Sequence, residues 1–429
     1  MPFLAASLLS PFGVLLSAPL LASDARVLTM QDAVEAALAW HPSIDEAVQR
    51  INAQGEEIDV ARAGYRPRIS GGIGTGYQSN TVNGWRPRAN VTASQMLYDF
   101  GKVSSTIRFA EAGVRVSRSR FLLAVDSLIR DTSYSLIESQ RSDALLIVAN
   151  DQLTELRAIE RLVQLRFERG AATRSDSLQA HARVTGAEAT IQQIEAEQDR
   201  WRSNLEYLLG DVEIAGVVAD APEWLEDSCS QGVPDWTDVP AIMEAYATRD
   251  QAMAEFERSR ADRMPTISLE AGASTEIQDP ISNRSDYNFG IRVTSPLYSG
   301  GAADARARGA GFALRAADAA EARVRNDISR LLAEAQQQVM GLRDVLQTLA
   351  QREADMRETG KLYRLQYLEM GTRTLVDLLN AQQELHQVRF DHANTVHDLR
   401  RLRIDCTFYS GHARQAFRVK GMRVQGEIL

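Results

Sequence analysis

Six histidines and two cysteines are the side chains of this 429-residue sequence best suited to holding a metal, and their spacing decides whether they can act together. His386, His392 and His397 stand 6 and 5 residues apart. Ligands on one helix face stand four apart, so this spacing scatters the rings around a helix, and they read as solvated surface residues. Cys229 and Cys406 form neither a Cys-x-x-Cys nor a zinc-ligand spacing. Gly72-Ile73-Gly74-Thr75-Gly76 has the glycines of a nucleotide loop without the G-x-G-x-x-G order, and it opens no helix. No P-loop, H-E-x-x-H or G-x-S-x-G is present. The carboxylates lie among arginines, as on solvated coiled-coil faces. The reading is therefore no catalytic residue, no metal and no cofactor. A net charge of −9 argues further against a nucleic-acid partner, because phosphate binding needs a basic surface.

The sharpest local pattern is a pair of turns, 170–176 and 371–377. Gly170 and Gly371 can each stop a helix in the left-handed region. Thr173 and Thr374 then cap the next helix, with Asp176 and Asp377 three residues on, where the helix dipole favours a carboxylate.

Such turns need long helices on both sides, and proline placement permits them. None occurs between Pro87 and Pro222, and none after Pro296. Both stretches are rich in strong helix formers. Leu145, Val148, Leu156, Ile159 and Val163 trace a heptad seam with Gln152 as a polar interruption. Leu342, Val345, Leu349, Met356 and Tyr363 trace another, with Arg352 and Thr359 as misfits. Helices are predicted over about 101–169 and 301–370, each on the order of 100 Å long. Around the remaining prolines the period changes to two. Ile267, Leu269, Ala271 and Ala273 alternate with polar or small residues, as do Tyr287, Phe289, Ile291 and Val293. Strands are predicted over about 66–78, 88–98, 265–276 and 287–298, with the alternation of transmembrane β-strands. Soluble hairpins packed on one face would carry the same alternation.

The order of parts occurs twice. Arg66-Pro67-Arg68-Ile69-Ser70 corresponds to Met264-Pro265-Thr266-Ile267-Ser268, and Met96 to Gly101 corresponds to Pro296 to Gly301. Leu165-Arg166-Phe167 with Gly170, Thr173 and Asp176 corresponds to Leu365-Gln366-Tyr367 with Gly371, Thr374 and Asp377. Each half reads helix, strand, strand, long helix, turn, helix, which is a duplicated domain. The expected organisation is a signal peptide over 1–22, a first repeat over 23–221, an inter-repeat segment over 222–240 and a second repeat over 241–429. Residues 1–23 carry no charge, and Phe12 to Leu21 form a short apolar run with cleavage expected after Ala22 or Ala25. An export signal would carry the chain to an oxidising compartment, where the two cysteines are either a disulfide or two isolated thiols. Four strands cannot close a barrel, and open edges are not tolerated in lipid. If the strands enter a membrane, the chain must oligomerise, and three copies supply twelve strands.

Two such halves, with their Gly-x-x-Thr-x-x-Asp turns, resemble the TolC family of outer-membrane export channels. Gly371-Thr372-Arg373-Thr374-Leu375-Val376-Asp377-Leu378-Leu379-Asn380-Ala381 is similar to that family's second periplasmic turn. Met96-Leu97-Tyr98-Asp99-Phe100-Gly101-Lys102, with Ala110-Glu111-Ala112-Gly113, resembles the branch that secretes large adhesins by the type I route. The resemblance implies an α+β membrane protein: a homotrimer with a 12-stranded β-barrel in the outer membrane, continuous with an α-helical tube in the periplasm. It implies a passive duct for protein cargo, with outer-membrane lipid around it and a periplasmic adaptor and inner-membrane ABC transporter as partners. A small-molecule efflux duct is the alternative within transport, and a coiled-coil periplasmic adaptor is the alternative of another class. At the periplasmic tip the resemblance places Asp377 facing the lumen, and Asn380 where some members carry a second acidic ring. Arg373 is expected to hold the closed state by bonding across to Asp176 or Ser175 of a neighbouring hairpin. Cys229 and Cys406 are expected to pair, because in TolC-like chains their regions meet in a belt around the tube.

Overall fold

The absence of proline and the supply of helix formers after Gly101 produce a single 67-residue helix, α3 (Lys102–Glu168), in the computed structural model. The structure describes residues 26–77, 85–210, 212–230, 234, 236–277 and 285–429. The expected signal peptide and the tips of both hairpins lie outside the described residues. Before α3 come β1 (Arg26–Leu28), α1 (Met30–Trp40), α2 (Pro42–Arg62), β2 (Arg68–Tyr77) and β3 (Trp85–Tyr98). After it come α4 (Arg174–Leu209), β4 (Ile214–Val217), α5 (Pro240–Ala261), β5 (Thr266–Glu276) and β6 (Ser285–Thr294). The 64-residue α6 (Ala302–Leu365), α7 (Leu375–Tyr409), the short α8 (Ala413–Ala416) and the β7–β8 hairpin (Arg423–Val424, Glu427–Ile428) complete the chain.

At 1.5 Å per residue, α3 spans about 100 Å and forms the spine of the molecule. Its first part lies between α2 and α5, where Arg108 meets Glu257 at 2.8 Å and Arg120 meets Glu244 at 2.7 Å. Its last part lies between α4 and α7, where Arg157 meets Glu188 at 2.7 Å and Arg389 meets Asp151 at 2.6 Å. Midway, α1, α4, α7 and the C-terminal segment gather around it in the largest apolar core, which includes Val34, Ile44, Phe121, Leu136, Leu205 and Phe417. Here α3 is buried nearly all round, polar residues included: Asp126, Thr132, Ser133, Glu138 and Ser142 are all buried. Ser133 and Ser142 donate to the carbonyls of Ile129 and Glu138, so their hydroxyls are satisfied within the helix. The disulfide between Cys229 and Cys406 closes over this belt, with a Cα–Cα distance of 5.2 Å.

Two details of the seams differ from the sequence reading. In α6 the inward line runs through Leu342, Leu346, Leu349, Glu353, Met356, Gly360 and Tyr363 and continues to Tyr367 just beyond the helix, whereas Val345 is 43% exposed. The expected misfits disappear, because Arg352 points outward to Glu384 of α7 at 2.8 Å and Gly360 takes the buried place assigned to Thr359. In α3 it is Leu153, next to the supposed interruption at Gln152, that is buried.

The four long strands form one antiparallel sheet in the order β2-β3-β5-β6. Ile69 pairs with Ala93, Ala93 with Ala271 and Ala271 with Phe289, so residues of like polarity fall in register across all four strands. β6 stops at Thr294, short of the expected 298. Pro296 has no N–H to donate, and β6 is an edge, so nothing in the chain extends it. In the corresponding place β3 runs on through a bulge to Tyr98, because β5 pairs with it.

Candidate functional site: the sheet faces and the helical tip

One face of the sheet is predominantly apolar, with Thr75, Gln95, Thr275 and Ser285 as its polar residues. Ile69 and Ile73 are 72% and 79% exposed, and Phe289 and Ile291 are 77% and 69% exposed. The other face carries Arg292 on Glu270 at 2.6 Å, Arg88 on Glu276 at 3.2 Å and Ser70 against Thr92 at 2.8 Å. A continuous apolar face of this size is unstable in water, and a face of cross-strand ion pairs is unstable in hydrocarbon. Such a sheet is stable where lipid lies on one side and water on the other. β2 and β6 are the free edges, with no strand of the described residues beside them.

At the far end of the helices, two turns of similar chemistry sit side by side. Thr173 Oγ1 accepts from the Asp176 amide at 3.1 Å, and Asp176 Oδ2 accepts from the Thr173 amide at 2.9 Å. Thr374 and Asp377 repeat this reciprocal pair at 3.2 and 3.1 Å. Hydrogen bonds from the Thr374 backbone and hydroxyl hold the Asp377 carboxyl below the usual carboxylate range, so it is anionic at neutral pH. Gly170 and Gly371 both have positive φ, at 75° and 63°. The two helix ends that reach them differ. The end of α3 closes with Ala171 donating to the Arg166 carbonyl at 2.7 Å. The end of α6 widens into a π turn over Gln366–Met370, where a helix was expected to run on to 370.

The tip has its own apolar core, built from both hairpins. Ile159 and Val163 of α3, Ala180 and Val184 of α4, and Leu375 and Leu378 of α7 pack with Tyr367. Arg166 joins the hairpins, donating to the Tyr367 carbonyl at 3.0 Å with its guanidinium 4.7 Å over the Tyr367 ring. Arg183 of α4 donates to Asn380 at 3.4 Å and also bonds Gln383. Asn380 therefore acts within the chain as an acceptor between hairpins. Arg373 does not reach Asp176 or Ser175 within the chain. Its Nε donates to Gln366 at 3.2 Å, and its guanidinium stacks 4.3 Å over Tyr363. Tyr363 and Gln366 belong to the same hairpin as Arg373, and Ser175 is bonded to Thr173 at 2.7 Å. Sequence reasoning passed over Arg166 and Arg183. Arg166 stood in the repeated Leu-x-aromatic segment that the comparison of halves had singled out, and that was its only signal.

The histidines correct a further expectation. His386 is 0% exposed and bonds Glu155 of α3 at 3.1 Å, and His397 is 4% exposed and bonds the Ala393 carbonyl at 2.7 Å. They face α3, which helical spacing within α7 alone does not reveal. Burial lowers the His397 pKa to about 4, so the ring is neutral at physiological pH. No cluster of three metal-ligating side chains occurs among the described residues.

A family model described as "Outer membrane efflux protein" matches residues 33–211 and 238–405, which takes in both repeats and breaks only at the belt segment between them. The chain belongs to that family. It is an outer-membrane protein, an efflux channel whose sheet and helices are the barrel and tube portions of a TolC-like fold. Among curated relatives, the "Proteases secretion protein PrtF" of Dickeya chrysanthemi is 27% identical over 85% of this chain and 84% of its own length. The "Outer membrane efflux protein BepC" of Brucella suis is 23% identical over 90% of this chain and 86% of its own. The solved outer membrane protein VceC of Vibrio cholerae superposes with a TM-score of 0.78 at 16% identity, over 89% of this chain and 96% of that one. In this family member the lipid-facing surface is therefore the apolar sheet face, and the tube is the bundle below it.

Proposed function

We propose that three copies of this chain assemble into a passive exit duct for a tripartite type I secretion system. The observation that carries the reading is the four-stranded sheet, with one face predominantly apolar, one face ion-paired and both edges free among the described residues. Edges in lipid must be paired, and three copies give twelve strands under cyclic symmetry. The helices then continue the wall as a tube, and the capped turns converge at its periplasmic end, with the Asp377 carboxylates around the axis. The duct has no catalytic step and no cofactor. A periplasmic adaptor and an inner-membrane ABC transporter supply the energy and the engagement. The cargo is an unfolded protein; a relative named for protease secretion supports protein export, and the resemblance to the adhesin-secreting branch nominates a large adhesin.

Native mass measurement on detergent extracts of the outer membrane is expected to give a homotrimer, and a monodisperse monomer would sink the reading. Deleting the gene is expected to abolish display of a secreted protein while leaving drug susceptibility unchanged. The reverse pattern would favour small-molecule efflux; the Brucella suis relative is named an efflux protein.

A further inference from the structure

We infer that Arg66 and Arg68, where α2 passes into β2, form an anion-binding station on the water-facing wall of the duct, which takes the carboxylates of an acidic, extended stretch of polypeptide. This rests on the exit-duct reading above and names the charge class of the cargo segment held in passing.

The local backbone presents the two side chains together. α2 ends in a single tighter turn over Ala63–Tyr65, and Arg66 is then extended, with φ −92° and ψ 156°. Pro67 fixes its own φ and keeps the residue before it out of the helical region, and β2 begins at Arg68. Alternate residues of an extended chain point to one face, about 7 Å apart. Arg68 stands opposite Ser94, and Ser94 opposite Glu270, so the pair belongs to the ion-paired, water-facing side of the sheet.

A cleft of about 860 Å³ opens beside them between α2, α3 and α5, with Glu57, Phe109 and Arg258 in its walls. Arg66 and Arg68 are exposed, and neither guanidinium has an ion-pair or hydrogen-bond partner among the described residues. The other cations nearby are engaged. Arg258 lies 4.8 Å over the Phe109 ring and pairs with Glu255 at 2.7 Å. Lys102 donates to Thr266 at 2.9 Å, and Arg292 and Arg88 hold Glu270 and Glu276 at 2.6 and 3.2 Å. Glu57 is the carboxylate that lines the cleft, and it too is unpaired among the described residues. Two free guanidiniums against one free carboxylate leave the cleft with an excess of positive charge.

The fold does not require these arginines, and the duplication supplies the control. The second repeat makes the same passage from helix to strand, α5 into β5, with Met264-Pro265-Thr266. The proline recurs because it shapes the turn, whereas the charges on either side of it do not recur. What the first repeat adds at this place is therefore charge alone. A guanidinium forks onto a carboxylate, and an extended peptide sets alternate side chains at the same spacing of about 7 Å. Two carboxylates two residues apart thus match the pair, while a single small anion engages both arginines only if they converge. In three copies the pairs surround the axis at the base of the barrel, opposite in sign to the Asp377 carboxylates at the far end of the tube. An acidic segment entering past the tip is drawn toward that base.

The test is single-channel recording on full-length trimers in planar bilayers, with a short polyglutamate peptide as the probe. Wild type is expected to show transient blockades. Arg66→Gln with Arg68→Gln should shorten their dwell time about tenfold, at roughly threefold for each exposed ion pair lost. Polyglutamine of the same length should give equal dwell times in both proteins. Conductance without peptide reports that the variant trimers are intact. Arg66→Glu with Arg68→Glu should transfer the long blockades from polyglutamate to polylysine. Inorganic phosphate that displaces polyglutamate at equal concentration would assign the pair to single anions and overturn the extended-peptide ligand. Equal polyglutamate dwell times in wild type and both double variants overturn the station and leave the exit duct standing. A dwell-time difference in a protein whose deletion leaves protein secretion intact overturns the protein-cargo reading and leaves the station.

Discussion

Replacing Arg166 by alanine should open the helical tip. Arg166 is the side chain of α3 that holds the π turn of α6, through one hydrogen bond of 3.0 Å to the Tyr367 carbonyl and a stacked contact of 4.7 Å on its ring. A charged hydrogen bond contributes about 1.5–3 kcal/mol when protected, and solvent screening in the half-buried setting of Arg166 brings it below that range, to about 1 kcal/mol. A cation–π contact near the surface adds about 0.5–1 kcal/mol. Together they favour the packed hairpins by roughly 2 kcal/mol per chain, about a thirtyfold bias at 1.4 kcal/mol per tenfold. Three chains share one opening motion, so the bias on the pore is on the order of 6 kcal/mol if the contacts break together. Single-channel recording in planar bilayers is the assay. Arg166→Ala trimers should show higher conductance and longer open times than wild type, and Arg166→Lys, which keeps the charge without the planar fork, should fall between. Arg373→Ala provides the comparison. Its contacts to Gln366 and Tyr363 lie within one hairpin, so it should open the pore only if Arg373 also bonds Asp176 or Ser175 across a subunit boundary in the closed trimer. A folded Arg166→Ala trimer with wild-type conductance would refute the reasoning and leave the tip held by its apolar core alone.

Five further outcomes are expected. Asp377→Asn should weaken cation preference, read as a shift in reversal potential under a salt gradient, while Thr374→Ala should cost about 1 kcal/mol of helix stability through the lost cap, read by thermal unfolding. Counting thiols in denatured, unreduced protein should find none free, and removing both cysteines should destabilise the belt by at most ~5 kcal/mol, the loop-entropy limit for a closure of this length. Burial pushes the Asp126 carboxyl up to about 7, against the opposing pull of Arg414. Its folded pKa thus exceeds the unfolded value near ~4, so its contribution is greatest below that value and is lost as pH rises through about 7. The loss is at most ~4 kcal/mol, and Asp126→Asn should flatten the pH dependence of the melting temperature across that window.

The sequence alone determined the elements whose signals are local. Missing prolines between Pro87 and Pro222 licensed the whole of α3, since nothing within it breaks the backbone ladder. Alternation at Tyr287, Phe289, Ile291 and Val293 gave the polarity of β6, because a strand's two faces are written into odd and even positions. Thr173 with Asp176 and Thr374 with Asp377 announced their caps, because a capping box closes within four residues. The outer-membrane family was legible in the same way, from two copies of one turn. The tertiary structure decided everything that depends on a neighbour distant in the chain. His386 and His397 read as surface residues until α3 was placed against α7. The seam of α6 shifted to Glu353 and Gly360 because α7 approaches from that side. Arg166 meets Tyr367 across 201 residues of chain, and Asp126 meets Arg414 across most of the second repeat. In a wall one helix thick, each long helix is flanked by two others drawn from different parts of the sequence. Its own periodicity marks that a face is buried, and the neighbour that buries it fixes which residues make the contact.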